Sequence, residues 1–242
     1  MNNLTIGILL TDHVLEDLKT KHGDQDDFYY KIFNEADKSI KLKIYDVTNN
    51  IYPDDINECN GYLITGSKLS VYDDVHWIRE LEEYIRYLNS AEKKLLGVCF
   101  GHQLIAKALG GSVRKATAGW VTGLQSYNVH AFFPWVDSFD EEIKLIHSHQ
   151  DQVTELPEKA TLVASNSKVP IAMYYIDNHI MSVQGHPEFT NEYAYDVVCK
   201  RRDILGEELF KQTEDSLLNE KSSYLEVTRW WISFFKKTTE IL

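Results

Sequence analysis

Leu95–Gly110 reads LLGVCFGHQLIAKALG, and it decides the fold. Lys94–Val98 is a short apolar run, which predicts a buried strand. His102–Leu109 predicts a helix that Gly110-Gly111 ends. Between them, Gly97-Val98-Cys99-Phe100-Gly101 has the form G-x-nucleophile-x-G, the elbow in which a reactive side chain sits on a sharp turn from strand to helix. Both glycines have a steric reason, because side chains two residues before and two after the nucleophile would collide. The turn projects the Cys99 sulfur at the strand's C-terminal end, and the helix start beneath it favours thiolate over thiol. Cys59 and Cys199 have no such frame and are expected to be small buried hydrophobes.

On either side of this stretch, strand and helix alternate. Leu4–Leu10, Lys41–Asp46 and Gly61–Thr65 (GYLIT) read as strands, and Gln25–Asp37 and Trp77–Asn89 as helices. In the second helix Ile78, Leu81, Ile85 and Leu88 fall at helical spacing. This alternation predicts a parallel sheet with helices on both faces. The middle changes character. Gly123–Ala131, Leu162–Ser165, Ile171–Tyr175 and Ile180–Val183 read as strands with few helices between, so an antiparallel portion is expected there. From Glu192 the chain turns helical, through Tyr224–Lys236 at least. The aromatic cluster Trp230, Trp231, Phe234 and Phe235 is expected to pack in the core.

A thiolate enzyme needs a positioned acid/base and a group that holds it. Ile180–Phe189 (IMSVQGHPEF) supplies the candidates. Pro187 fixes its own φ and pushes His186 toward extended geometry. Residues two apart then point the same way, so Glu188 can reach the His186 imidazole, stabilise its cation and select its tautomer.

Composition narrows the function. Among 242 residues, 25 Lys and Arg stand against 37 Asp and Glu, a net charge of −12, which disfavours a nucleic-acid partner. Three cysteines without a CxxC pair are neither a disulfide framework nor a zinc site, and fit a reducing compartment. The N-terminus lacks a basic n-region with a long apolar run, and no stretch approaches the roughly 18 apolar residues of a membrane helix. A soluble cytoplasmic protein of one domain is expected, with a catalytic core over about 1–200 and a helical extension over about 201–242.

GVCFGHQ, HSHQDQV and VQGHPEF, in this order, resemble the class I (triad) glutamine amidotransferases, over roughly Ile6–Glu192. Gly97, Cys99, Gly101 and Gln103 match the family's G-x-C-x-G-x-Q, and His186, Pro187 and Glu188 its H-P-E. The resemblance implies a three-layer α/β/α sandwich around a mostly parallel, flavodoxin-like sheet, and a catalytic triad of Cys99, His186 and Glu188. It implies that Gln103 binds the polar part of a glutamine-like substrate, that the Ser148-His149 backbone holds its amino-acid end, and that Asp151 stabilises that turn. Oxyanion donors are expected from the backbone N–H groups of Phe100 and, in the turn after GYLIT, Ser67, with Gly66 beside the substrate. That turn is Gly66-Ser67-Lys68 here, where the family usually has a Gly-Gly-Pro-like sequence. Ser70–Trp77 (SVYDDVHW) follows on the same rim and resembles a stretch in stand-alone, uncharacterised or γ-glutamyl-peptide-cleaving relatives. Gly119-Trp120 is expected to be a structural turn near the site. His147, His149 and Asp151 would share one face of a strand, as zinc ligands can. No fourth ligand is near, and the segment matches the family's S-H-x-D-x-V, so no metal and no cofactor are expected.

Three functional readings follow. The chain is a free-standing γ-glutamyl hydrolase acting on a small-molecule substrate, or a glutaminase that hands ammonia to a separate synthetase partner, or a catalytically silent regulatory or binding domain. The sequence has no P-loop pattern of its own.

Overall fold

The computed structural model describes residues 4–117, 119–136 and 142–237; the end of the expected helical extension, 238–242, lies outside them. The strands are β1 Thr5–Leu10, β2 Lys41–Asp46, β3 Gly61–Ile64, β4 Lys94–Val98, β5 Ser112–Lys115, β6 Val121–Val129, β7 Glu142–His149, β8 Asp151–Glu155, β9 Ala160–Ser165, β10 Met173–Ile176 and β11 Ile180–Val183. The helices are α1 Glu16–His22, α2 Gln25–Ala36, α3 His76–Ser90, α4 Phe100–Ala108, α5 Asn191–Lys200, α6 Arg202–Leu205, α7 Glu207–Asn219 and α8 Tyr224–Lys236. Among the described residues, no helix is long and apolar enough to cross a membrane.

One nine-stranded sheet runs β2-β1-β3-β4-β11-β10-β9-β6-β7. Its first five strands are parallel, and from β11 onward each neighbour is antiparallel. β3, β4 and β11 are buried throughout, the expected state of parallel strands covered on both faces. The edge strand β2 instead alternates in exposure. The order 2-1-3-4 followed by β11 is the flavodoxin-like one, which places a site outside the carboxyl ends of the strands. β5 and β8 form a separate antiparallel pair.

Two apolar layers enclose the sheet. On one face α3 and α4 set Ile78, Leu81, Ile85, Leu104 and Ile105 against Tyr62, Ile64 and Leu95. On the other, α2 and α8 set Tyr29, Phe33, Trp231 and Phe234 against Ile6, Leu63 and Leu96. The aromatic cluster of α8 is therefore core, as expected: Trp231 and Phe234 are fully buried and Trp231 leans on Phe33. A buried aromatic ring removes enough surface for roughly 4–6 kcal/mol of gross transfer free energy, so this face holds α8 to the sheet rather than offering it to a partner. α7 lies on β6, where the Thr213 and Thr122 hydroxyls hydrogen-bond.

A capping box on Asp24 begins α2 and aims its first residue, Gln25, at the carboxyl end of the sheet. Burial alone would raise the Asp24 carboxyl, but hydrogen bonds from Lys19, the Val14 N–H and His13 hold it down at about 2.

Candidate active site

β4 delivers Cys99 to the start of α4 with φ +49° and ψ −98°, a backbone conformation that side chains other than glycine rarely adopt. Its N–H donates to the Val183 carbonyl at 2.9 Å, tying the elbow to the end of β11. The flanking glycines are required by contact. A Cβ on Gly97 would lie 2.7 Å from the Gly101 carbonyl oxygen, and one on Gly101 would lie 2.5 Å from that of Ile64.

β11 runs on through Gln184 and Gly185 to His186, whose N–H donates to the Ile146 carbonyl at 2.8 Å. His186 Nδ1 meets Glu188 Oε1 at 2.7 Å, and the ring stacks on Phe189 with centroids 4.0 Å apart. Both members of the pair are buried. Burial alone would lower the His186 pKa, but the charges of Glu188 and Cys99 and hydrogen bonding to both lift it to about 10. His186 is thus an imidazolium at neutral pH, oriented by Glu188 and within the field of the Cys99 sulfur. Buried Tyr29 faces the same carboxylate, and its hydroxyl is pushed well above its ordinary pKa by burial and then by the Glu188 charge.

The turn after β3 closes the third side. A Cβ on Gly66 would stand 2.9 Å from His186 Cε1 and 3.6 Å from Cys99 Cβ, so Gly66, Cys99 and His186 converge. The Gly66 carbonyl accepts hydrogen bonds from Thr11 Oγ1 and Gln25 Nε2, both at 2.9 Å. Asp12 accepts from the Lys68 N–H at 2.8 Å and from Lys68 Nζ at 2.7 Å. The backbone N–H groups of Ser67 and Phe100 donate to no acceptor among the described residues. Thr11, Asp12, Gly66, Cys99 and His186 all follow the carboxyl ends of parallel strands.

These groups surround a pocket of about 110 Å³ lined by Gly66, Ser67, Cys99, Ser148 and His186 from the sequence-derived set, with Asp12, Gln25 and Arg201 as additions. The sequence gives no motif for Thr11, Gln25 or Arg201; the signal within reach for Thr11 is its place directly after β1.

Glu188 and Phe100 adjoin His186 and Cys99 without lining the pocket, and two further residues read from the sequence lie in its wall. Gln103 Nε2 donates to the Asp151 carbonyl at 2.7 Å and to Gln184 Oε1 at 3.1 Å, so its amide braces the wall behind the pocket. The His149 side chain is also inside the wall, with Nε2 on His147 Nδ1 and Nδ1 on the Asp151 carbonyl, each at 2.9 Å. Burial lowers the His149 pKa to about 3, so it stands neutral beside the cationic His186. The Asp151 carboxylate turns the other way and accepts from the hydroxyls of Ser70 and Tyr72, which fastens the rim segment 70–77 to the start of β8. Trp120, on the turn named from the sequence, lies under the guanidinium of Arg201, 4.9 Å from ring centroid to Cζ.

The cysteine reading needs one correction. Cys59 is buried as expected, and burial raises its thiol pKa, but Cys199 is exposed. It lies on the solvent face of α5, one residue beyond buried Val197 and Val198. Iodoacetamide at neutral pH is therefore expected to label Cys99 and Cys199 and to spare Cys59, with activity lost in step with Cys99 alone. Peptide mapping against residual activity checks this; activity that tracks Cys199 instead would remove Cys99 from the chemistry.

The family model for class-I glutamine amidotransferases matches residues 26–200. Gamma-glutamyl peptidase 3 of Arabidopsis thaliana is 32% identical over 206 residues, which span 81% of this chain and 80% of that protein. A glutamine-hydrolysing GMP synthase subunit of Sulfolobus acidocaldarius is 32% identical over 152 residues, 62% of this chain and 79% of that protein. A glutamine amidotransferase crystal structure from Thermotoga maritima has a TM-score of 0.75 over 97% of both chains at 17% identity, a likeness of fold. By the matched model and the peptidase relative, this chain belongs to the class-I glutamine amidotransferase family.

Proposed function

We propose that the chain is a free-standing cysteine hydrolase of γ-glutamyl amides, with Cys99 as nucleophile, His186 as acid and base, and Glu188 as the group that orients it. The observation that carries this reading is a reaction centre assembled from one chain. The Gly66 turn is fixed by Thr11 and Gln25, and two N–H groups without acceptors among the described residues, on Ser67 and Phe100, lie beside Cys99. A glutaminase that depends on a partner often completes its site only when the partner docks; N–H groups left without acceptors beside Cys99 support a site that needs no partner.

The steps follow from the charges. The Cys99 thiolate attacks the γ-carbonyl carbon, and the electron pair moves onto oxygen, where the Ser67 and Phe100 N–H groups receive it. His186 gives its Nε2 proton to the departing nitrogen, the C–N bond breaks, and a γ-glutamyl thioester remains. The thioester sulfur carries no charge, so one of the influences that raised the His186 pKa is gone. The neutral imidazole then takes a proton from water, the oxygen attacks the thioester, and the C–S bond breaks to return thiolate and release glutamate.

The likeness to a γ-glutamyl peptidase supports a peptide-like γ-glutamyl compound as substrate. The likeness to a glutamine-hydrolysing GMP synthase component supports a second reading, in which ammonia from glutamine passes to a separate synthetase partner. One assay separates them. The purified protein is given glutamine, γ-glutamyl dipeptides and a chromogenic γ-glutamyl anilide, with Cys99→Ala as control. Cys99-dependent turnover of a γ-glutamyl peptide above that of glutamine is expected. Silence on every substrate, relieved by adding a co-purified synthetase, would replace the hydrolase reading with the ammonia-donating one.

A further inference from the structure

Besides His186, three basic side chains line the pocket: His13, Lys68 and Arg201. Two are already neutralised. His13 bridges Asp24 and Asp46 at 2.9 and 3.2 Å, and Lys68 holds Asp12 at 2.7 Å. Arg201 has no carboxylate partner among the described residues. Its neighbour Arg202 shows what the same side chain does when an acid is at hand, placing its fork on Glu207 at 2.7–3.0 Å.

Arg201 is also held in place. Nη1 donates to Ser148 Oγ at 2.6 Å, and the guanidinium plane lies over the Trp120 ring. No other guanidinium donor of Arg201 has a protein acceptor among the described residues. The side chain is half-buried, and desolvation by burial lowers its pKa. Removing a guanidinium from water without a counter-charge is unfavourable. A planar fork of this kind matches a carboxylate in bidentate fashion. The anionic influences on it are the Cys99 sulfur and Asp12, and Asp12 is committed to Lys68.

We propose that Arg201 is a specificity-determining residue of the pocket, and that its guanidinium takes a free carboxylate of the γ-glutamyl substrate while Cys99 engages the γ-carbonyl. The assignment rests on the hydrolase reading above for the nature of the substrate. The carboxylate has two sources in such compounds: the α-carboxylate of the glutamyl group, and the C-terminal carboxylate of a departing peptide.

The test compares the parent with Arg201→Gln and Arg201→Lys on three substrates. A γ-glutamyl dipeptide carries both carboxylates, its C-terminal amide keeps only the α-carboxylate, and so does the γ-glutamyl anilide. Arg201→Gln is expected to lower kcat/KM by about 10- to 30-fold, mostly through KM. Arg201→Lys should recover part of the loss, with melting temperatures close to the parent's. A loss on all three substrates assigns the α-carboxylate; a loss confined to the free dipeptide assigns the departing carboxylate. Kinetic constants within twofold of the parent on all three would overturn the proposal.

A second measurement separates this site from the hydrolase reading. In the parent, the ratio of iodoacetate to iodoacetamide rates at Cys99 should exceed that of free cysteine, because a fixed cation draws the anionic reagent. Arg201→Gln should lower the excess, leaving the part that the His186 imidazolium supplies. If the parent cleaves none of the three substrates, the hydrolase reading fails and this ratio decides: a fall in the variant keeps Arg201 as a carboxylate site, and an unchanged ratio removes it.

Discussion

Glu188→Gln is expected to lower kcat for γ-glutamyl hydrolysis a hundredfold or more, to leave the fold intact, and to move the alkaline limb of the pH profile toward neutral. The change keeps the shape of the side chain and removes its charge. His186 is buried, and burial by itself drives the imidazole toward its neutral form; the Glu188 charge is first among the influences that reverse this and bring the pKa to about 10. Without it the Nδ1 hydrogen bond at 2.7 Å no longer selects the tautomer or stabilises the cation that protonates the leaving nitrogen. The sign for stability follows from the same shift. A histidine whose folded pKa is raised above its ordinary 6.5 contributes stability that is complete below about pH 6.5 and is lost as pH rises through about 10. The stability difference between parent and Glu188→Gln should therefore be largest at or below neutral pH and close as pH passes 10. Rate profiles and denaturant midpoints across pH 6–10.5 check both statements. An unchanged kcat, or a limb that stays in place, would remove Glu188 from the role.

The parts of this fold that are legible in the sequence are those that one local constraint determines. Lys41–Asp46, Lys94–Val98 and Ile180–Val183 are read to the residue, because each is a short apolar or alternating run stopped by polar or turn residues. The parts missed have no such signature. α1, EDLKTKH, buries only Leu18 and so shows no apolar period. β5 is a four-residue, partly exposed strand in a two-stranded ribbon. β7 does alternate in part, but its polar end, HSH, hides the strand among candidate ligands. α4 starts at Phe100 rather than His102 because its first two turns are buried on all sides, which erases the amphipathic period. The site divides in the same way. Cys99, His186 and Glu188 stand at the ends of β4 and β11 with glycine and proline spacings that state the geometry. Gln25 and Arg201 are ordinary residues that meet the pocket from distant parts of the chain, Thr11 braces the Gly66 turn from behind it, and only the tertiary arrangement gives them their partners. Gln103 shows the converse: a residue with a motif has its amide nitrogen bonded into the wall.

Gly66→Ala is expected to cut kcat by about a hundredfold or more while changing KM little and lowering the melting temperature by about a few degrees. Gly66 does not adopt a left-handed φ, so alanine fits the backbone and the cost falls on the neighbours. The new methyl would stand 2.9 Å from His186 Cε1, closer than such atoms pack, and at ordinary contact with Cys99 Cβ, 3.6 Å away. The imidazole has little room to retreat. One face is stacked on Phe189 at 4.0 Å, Nδ1 is held by Glu188 at 2.7 Å, and the backbone N–H is tied to Ile146. Nor does the turn move easily, since the Gly66 carbonyl is held by Thr11 and Gln25. The clash is relieved by tilting the ring, by lifting the turn, or by some of each. A tilted ring aims Nε2 away from sulfur and leaving group, and a lifted turn moves the Ser67 N–H from the oxyanion position. Displacements of even a fraction of an ångström at such groups are costly, on the order of a hundredfold for about 1 Å. Steady-state kinetics on a γ-glutamyl dipeptide, with the rate of Cys99 alkylation as a second readout, measure the effect. The two displacements also differ in signature. A tilted ring weakens its coupling to the Cys99 sulfur and changes the pH dependence of alkylation, whereas a lifted turn leaves alkylation as it was and lowers only turnover. A kcat within threefold of the parent would mean that the ring has room to yield, and that the close approach of Gly66 to His186 does not fix the reaction geometry.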